Sequence, residues 1–184
     1  MAAKTENPSP LQTLAGLIQP SEPVLELDAT DTQLLIELSK DARIPQRKLA
    51  EMLGMSSPAV ADRIARLKQR GVLRGFSVDI NWDKLGNSTV AYLSISAATG
   101  HYQSVVISEL IGVRGIEEIS LVTGTSDLLV KIRARGIDDL RAILANEVWR
   151  IDGIQQTATS IALMHVQPEN NVERMLRAMS NEAL

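Results

Sequence analysis

The stretch Ile44 to Gly71 reads IPQRKLAEMLGMSSPAVADRIARLKQRG, and its spacing decides the first half of the fold. Leu49 and Leu53 recur at i, i+4, Pro45 suits the first turn of a helix, and Gly54 suits the position just past its end. Met55-Ser56-Ser57 is a short link whose serines can cap the next helix. Val60, Ile64 and Leu67 recur at i, i+4, i+7, so a further helix runs from about Ser57 to Arg70, where Gly71 stops it. Upstream, Asp28 with Asp31 three residues on is a capping-box-like start, and Leu34, Leu35 and Leu38 mark a helix to about Ala42. Three short helices with a tight turn between the second and third make a helix-turn-helix pattern.

Charge supports a phosphate-facing role for this stretch. The whole chain has a net charge of −3 over 184 residues. Asp41 to Gly75, however, holds Arg43, Arg47, Lys48, Arg63, Arg66, Lys68, Arg70 and Arg74 against Asp41, Glu51 and Asp62, a local balance of +5. The remainder then carries −8. A confined basic module in an acidic chain is the footprint expected of a nucleic-acid surface. On the third helix, Pro58, Asp62, Ala65, Arg66 and Gln69 lie opposite the apolar stripe, with Arg63 and Arg70 on its flanks. Small residues at its tip (Ser57, Pro58, Ala59, Ala61) allow close approach to a groove floor, and the arginines can reach phosphates or guanine edges. Arg47 and Lys48 fall where the second helix would cross the DNA backbone.

After Gly71 the period becomes two. Val72 to Trp82 reads as a short wing or bridging strand, and Ser88 to Ala98 as a half-buried strand. A helix is expected over Tyr102 to Gly112, then a hairpin of Ile116 to Thr123 and Leu128 to Ala134. A second helix (Ile137 to Ile151), a final strand (Ile154 to Val166) and a terminal helix (Glu169 to Asn181) complete the chain. From Ser88 the order is β-α-β-β-α-β, a ferredoxin-like split βαβ unit. Arg74 to Ile80 partly matches the aromatic strand of an RNA-recognition module, but Val78 and Ile80 stand where stacking rings are required.

Composition removes several chemistries. No cysteine is present, which excludes disulfides, thiol catalysis and cysteine-based metal sites. Two histidines, His101 and His165, offer no metal or catalytic pair, and no P-loop, GxGxxG or nucleophile elbow occurs. Five aromatics are too few for a single-strand stacking platform. No apolar run reaches the length of a membrane span. Residues 1–27, with four of the seven prolines, read as a flexible arm without the features of an export signal, so the expected location is cytoplasmic. The hairpin Thr123-Gly124-Thr125-Ser126-Asp127 is the most site-like feature of the second half. Its exposed amides suit a carboxylate and its acid an ammonium, the two handles of a free amino acid. The competing reading is an ordinary turn in which Asp127 bonds its own backbone.

Leu27-Asp-Ala-Thr-Asp31, Asp41-Ala-Arg-Ile44, Leu49-Ala50, Gly54-Met55-Ser56, Arg63-Ile64, Gly71-Val-Leu73, Val122-Thr-Gly124 with Asp127, and the Gly153-Ile154 strand entry together resemble the Lrp/AsnC regulators. The resemblance spans about Leu27 to Val166. It implies a fold of class α+β: an N-terminal three-helix winged helix-turn-helix followed by a ferredoxin-like βαββαβ effector and dimerisation domain. The expected division is an arm (1–27), a DNA-binding domain (28–75), a linker strand (76–87), the effector domain (88–166) and a C-terminal helix or tail (167–184). The implied activity is a transcription regulator on double-stranded DNA, a homodimer or octamer associated with the nucleoid, with no catalytic residues, metal or cofactor. Its expected DNA contacts are Arg43, Arg47, Lys48, Ser56, Ser57, Pro58, Ala59, Ala61, Asp62, Arg63, Arg66, Arg70 and Arg74. A small effector, an amino acid in many such proteins, is expected at Thr123 to Asp127 with Thr157 and Thr159. Many members carry a charged residue after the hairpin glycine and an aromatic after the aspartate; Thr125 and Leu128 stand there, so leucine or asparagine is not carried over as ligand. Two other readings are a tetrapyrrole (sirohaem-type) decarboxylase of the same architecture and a nucleoid-architectural protein without effector.

Overall fold

The computed structural model describes residues 24–98, 103–166 and 168–181. These divide into two compact units, one of residues 24–79 with 166 and 168–181 and one of residues 80–98 and 103–165.

The first unit starts with helix α1 (Ala29–Lys40), α2 (Gln46–Leu53) and α3 (Ser57–Gln69). Asp28 caps α1 by accepting the Asp31 amide on Oδ1 at 2.6 Å, as the sequence spacing requires. Leu34 and Leu38 of α1, Leu49 and Ala50 of α2, and Val60 and Leu67 of α3 form one buried cluster. A stripe at 3.6-residue spacing on each short helix meets the other two there, and burial of side chains like these contributes about 1.5–3 kcal/mol each.

One expectation is corrected in this unit. Residues 74–81 join no ladder, and the described sheet holds only β-strands of the second unit, so no wing is present among the described residues. Phe76, Val78 and Ile80 do alternate, but they are exposed and no neighbouring strand lies beside them to pair their backbone. The C-terminal helix expected over Glu169 to Asn181 is present from Asn171. Helix α6 (Asn171–Asn181) packs on α1, and Glu173 lies 3.5 Å from Lys40. This explains a second burial on α1: Ile36 is 1% exposed yet lies outside the three-helix cluster, on the side away from Leu34 and Leu38.

The second unit begins with a single 3-10 turn at Trp82–Leu85. Strand β1 (Thr89–Ala97), α4 (Gln103–Ile111), β2 (Ile116–Leu121), β3 (Leu128–Ala134), α5 (Ile137–Asn146) and β4 (Ile154–Ile161) follow. The sheet order is β2-β3-β1-β4, antiparallel throughout, which is the expected ferredoxin-like arrangement. Leu93 and Ile95 sit opposite Val130 and Leu128, and this face is covered by Val106, Leu110, Leu140, Ile143 and Leu144 of the two helices. The helix expected to reach Ile151 ends at Asn146 and resumes as a 3-10 turn, Val148–Arg150. The final strand stops at Ile161, leaving Leu163, Met164 and Val166 exposed.

Candidate nucleic-acid interface and effector site

The helix-turn-helix geometry is built from local signals. Gly54 adopts φ 64°, and the Met55 amide donates to the Ala50 carbonyl at 2.9 Å, ending α2 in a left-handed turn that favours glycine. Ser56 caps α3 by accepting the Ala59 amide at 3.4 Å, and Pro58 occupies the first turn, where a missing N–H costs nothing. Ser56, Pro58 and Asp62 are exposed, while Ser57, Ala59 and Ala61 are half-buried. The tip of α3 therefore presents only small side chains.

Most of the predicted cations of this unit face solvent. Arg43, Lys48, Arg70 and Arg74 are exposed and, among the described residues, none has a carboxylate partner. Arg47 pairs with Glu51 at 3.2 Å on α2, an exposed pair that water and salt can open. Arg66 is 59% exposed and stands 4.0 Å from Asp31. Lys68 lies over the Phe76 ring, 5.0 Å from its centroid.

Arg63 differs from the rest. Its Nη1 donates to Asp28 Oδ2 and to Asp31 Oδ1, both at 2.6 Å, and its side chain is 20% exposed. Asp31 is itself buried. Hydrogen bonding to Arg63 holds the Asp28 carboxyl below its usual range, and the Asp28 and Asp31 carboxylates raise the guanidinium above its own. The residue named as a phosphate contact is here an internal tie between α3 and the start of α1. The sequence placed Arg63 correctly on the flank of α3; it did not say that this flank meets two carboxylates, because their spacing was already explained by the helix cap.

In the second unit, Gly124 takes a positive φ of 125° in the loop between β2 and β3, and Thr123 to Thr125 are exposed. Asp127 does not close an isolated turn. Its Oδ2 accepts the Ala97 amide at 2.8 Å, its Oδ1 accepts Gln103 Nε2 at 3.4 Å, and its own amide donates to the Ile95 carbonyl at 2.9 Å. The Ser96 hydroxyl donates to the Thr125 carbonyl at 3.5 Å. The loop is thus strapped to the end of β1 and the start of α4. Thr157 sits opposite Ile95 and Thr159 opposite Leu93, so Thr157 reaches the same end of the sheet, where its hydroxyl accepts Trp149 Nε1–H at 3.0 Å. His101 falls outside the described residues.

A capped third helix in a unit of exposed cations, joined to a ferredoxin-like unit with a strapped glycine loop, defines a DNA-binding regulator with a ligand-binding domain. Residues 27–68 match the AsnC-type helix-turn-helix domain and residues 90–172 the Lrp/AsnC ligand binding domain. The HTH-type transcriptional regulator FL11 of Pyrococcus furiosus is 33% identical over 137 residues, covering 74% of this chain and 89% of its own length. The regulatory protein AsnC of Haemophilus influenzae is 29% identical over 139 residues, 76% and 93% of the two chains. The structure of E. coli AsnC superposes with a TM-score of 0.75 at 26% identity, over 79% of this chain and 99% of that one. The transcriptional regulator NMB0573 of Neisseria meningitidis, solved as its L-Met complex, gives 0.73 at 17% identity, over 78% and 94%, a likeness of fold alone. This chain belongs to the Lrp/AsnC family of transcription regulators. No helix among its described residues is long and apolar enough to cross a membrane, and among them no group of acidic or histidine side chains is placed to hold a metal ion.

Proposed function

We propose that the protein is a non-enzymatic, cytoplasmic, nucleoid-associated regulator that binds partly palindromic operators as a homodimer or octamer, and that a small metabolite, an amino acid, modulates its assembly or affinity. The small-residue tip of α3, together with the exposed cations Arg43, Lys48, Arg66, Arg70 and Arg74 of the same unit, carries the reading. Base edges are read by the tip, while the cations neutralise phosphates and fix register. Exposed apolar side chains at Phe76, Val78, Leu163, Met164 and Val166 support a second copy as partner, since solvent does not favour a run of this kind on a lone chain. The amides of Thr123 to Thr125 offer the effector's carboxylate its handle, with Thr157 and Thr159 alongside. Because Asp127 already accepts two hydrogen bonds, the ammonium would meet a carboxylate that also straps the loop, so binding and loop geometry are coupled. A ligand shifts assembly only through unequal affinity for two states.

A thermal-shift screen of the twenty amino acids and common metabolites, followed by light scattering and gel shift, tests this reading. A ligand that raises the melting temperature and alters both particle mass and DNA affinity supports it. A protein that stays monomeric and binds operator DNA no better than random DNA overturns it.

A further inference from the structure

At the other end of β2 and β3 from the Gly124 loop, a cavity of about 290 Å³ opens between Trp82, Asn87, Gly115, Ile116, Glu117 and Arg133. We propose that it is a second ligand site, distinct from the effector loop, which takes a small monocarboxylic acid with a compact apolar body. A strand of six residues spans about 20 Å, so the two sites do not overlap.

The cavity is built rather than left over. Asn81 accepts the Lys84 amide at 3.1 Å, and the Asn87 amide donates to the Trp82 carbonyl at 2.9 Å across Gly86, so the turn holding the indole is closed at both ends. Trp82 is nonetheless 40% exposed, an aromatic wall with one side open. The floor is backbone: Gly115 has φ 80°, and a Cβ there would lie 2.2 Å from the Arg133 carbonyl oxygen. A bulge at the start of β2 gives Glu117 no partner in the ladder and turns its carboxylate onto Arg133 Nε and Lys131 Nζ.

The chemistry of the ligand follows from the guanidinium. Arg133 is 16% exposed and is held through Nε by Glu117 and through Nη1 by the Asn87 carbonyl at 3.2 Å. Its Nη2 has no partner among the described residues. An arginine oriented in this way keeps a fixed donor for an incoming oxyanion at little entropic cost. Two cations share the single Glu117 carboxylate, and Asp83, 3.9 Å from Arg133, is 72% exposed, so the pocket favours an anion. Glu117 is saturated by its two cations, and the other nearby carboxylate, Asp83, stands in solvent beside Arg133, so an ammonium finds only a screened partner. The site therefore selects acids without a free amino group, their apolar body lying on Trp82 and Ile116. At 290 Å³ it stands at the small end of ligand pockets, which begin near 300 Å³.

The chain has two tryptophans, so the variant Trp149→Phe makes Trp82 the sole indole reporter. With 4-methylpentanoate as probe at fixed ionic strength, the full chain is expected to show a saturable change in Trp82 fluorescence. Leucine, the same branched body with an amino group, should need at least a tenfold higher concentration. Calorimetry on the unmodified chain and on Arg133→Lys, which keeps the charge and loses the fork, should show at least tenfold weaker binding in the variant. A linear, unsaturable response, equal midpoints for leucine and the acid, or unchanged calorimetric affinity in Arg133→Lys each overturn the proposal. None of these outcomes depends on DNA binding or on the effector loop.

Discussion

Arg63 Nη1 sits 2.6 Å from Asp28 Oδ2 and 2.6 Å from Asp31 Oδ1, so a single nitrogen ties the third helix to the first turn of the first. Removing it leaves the buried Asp31 carboxylate with only the distant Arg66. Arg63→Ala is expected to destabilise the DNA-binding unit by roughly 1–3 kcal/mol, read from the denaturant midpoint. The slope of log affinity against log salt should stay unchanged, because no phosphate contact is lost. A slope reduced by about one charge in a variant of normal stability would return Arg63 to the DNA.

The same pair makes this unit acid-sensitive. Asp28 has a folded pKa below its ordinary 3.8 because Arg63 hydrogen-bonds its ionised form. Its contribution is complete above the ordinary value and disappears as pH falls through the lowered one. Denaturant midpoints measured from pH 6 down to pH 2.5 should fall most steeply below 3.8, and Arg63→Met should flatten that part of the curve.

Lys48 and Arg74 are exposed and without carboxylate partners among the described residues. Lys48→Ala and Arg74→Ala should each weaken binding equally for operator and random DNA and lower the salt slope by about 0.9. Arg66→Ala, nearer the tip, should also change the ratio between them. Gel shifts at several salt concentrations separate the two behaviours, and a loss confined to the operator in Lys48→Ala would refute the phosphate assignment.

Truncation before residue 168 removes α6 and uncovers Ile36 on α1. Exposing such a side chain costs about 1.5–3 kcal/mol, so amides of α1 to α3 should exchange faster with solvent while those of β1 and β3 keep their protection. Equal protection of α1 in both chains would show that α6 adds nothing to this unit.

The parts of the fold that were legible in the sequence are those in which one residue type has one local use. Gly54 and Ser56 bracket the turn, Val60 and Leu67 fix the buried side of α3, and the strict alternation around Leu93 and Ile95 marks β1. The hidden parts required two distant segments at once. Asp31 and Arg63 are 32 positions apart, and the cap explained the acid well enough by itself. A terminal helix is expected over Glu169 to Asn181, but nothing local says that it returns to α1. The alternation at Phe76, Val78 and Ile80 predicted a strand; alternation supplies one face, and a strand also needs a neighbour. At Asp127 an ordinary turn bonding its own backbone is the local reading, whereas the Ala97 amide that its carboxylate accepts lies 30 residues back.

Because α6 comes home to α1, the polypeptide passes between the two units twice, once near residue 79 and once near residue 166. A module hung from one strand of chain can swivel about it freely, like a flag on a line. One stitched at two points can transmit torque, and the ligand-binding unit becomes in effect an insertion within the DNA-binding one. The two connections leave the DNA-binding unit after α3 and re-enter it before α6, and shortening either should alter regulation.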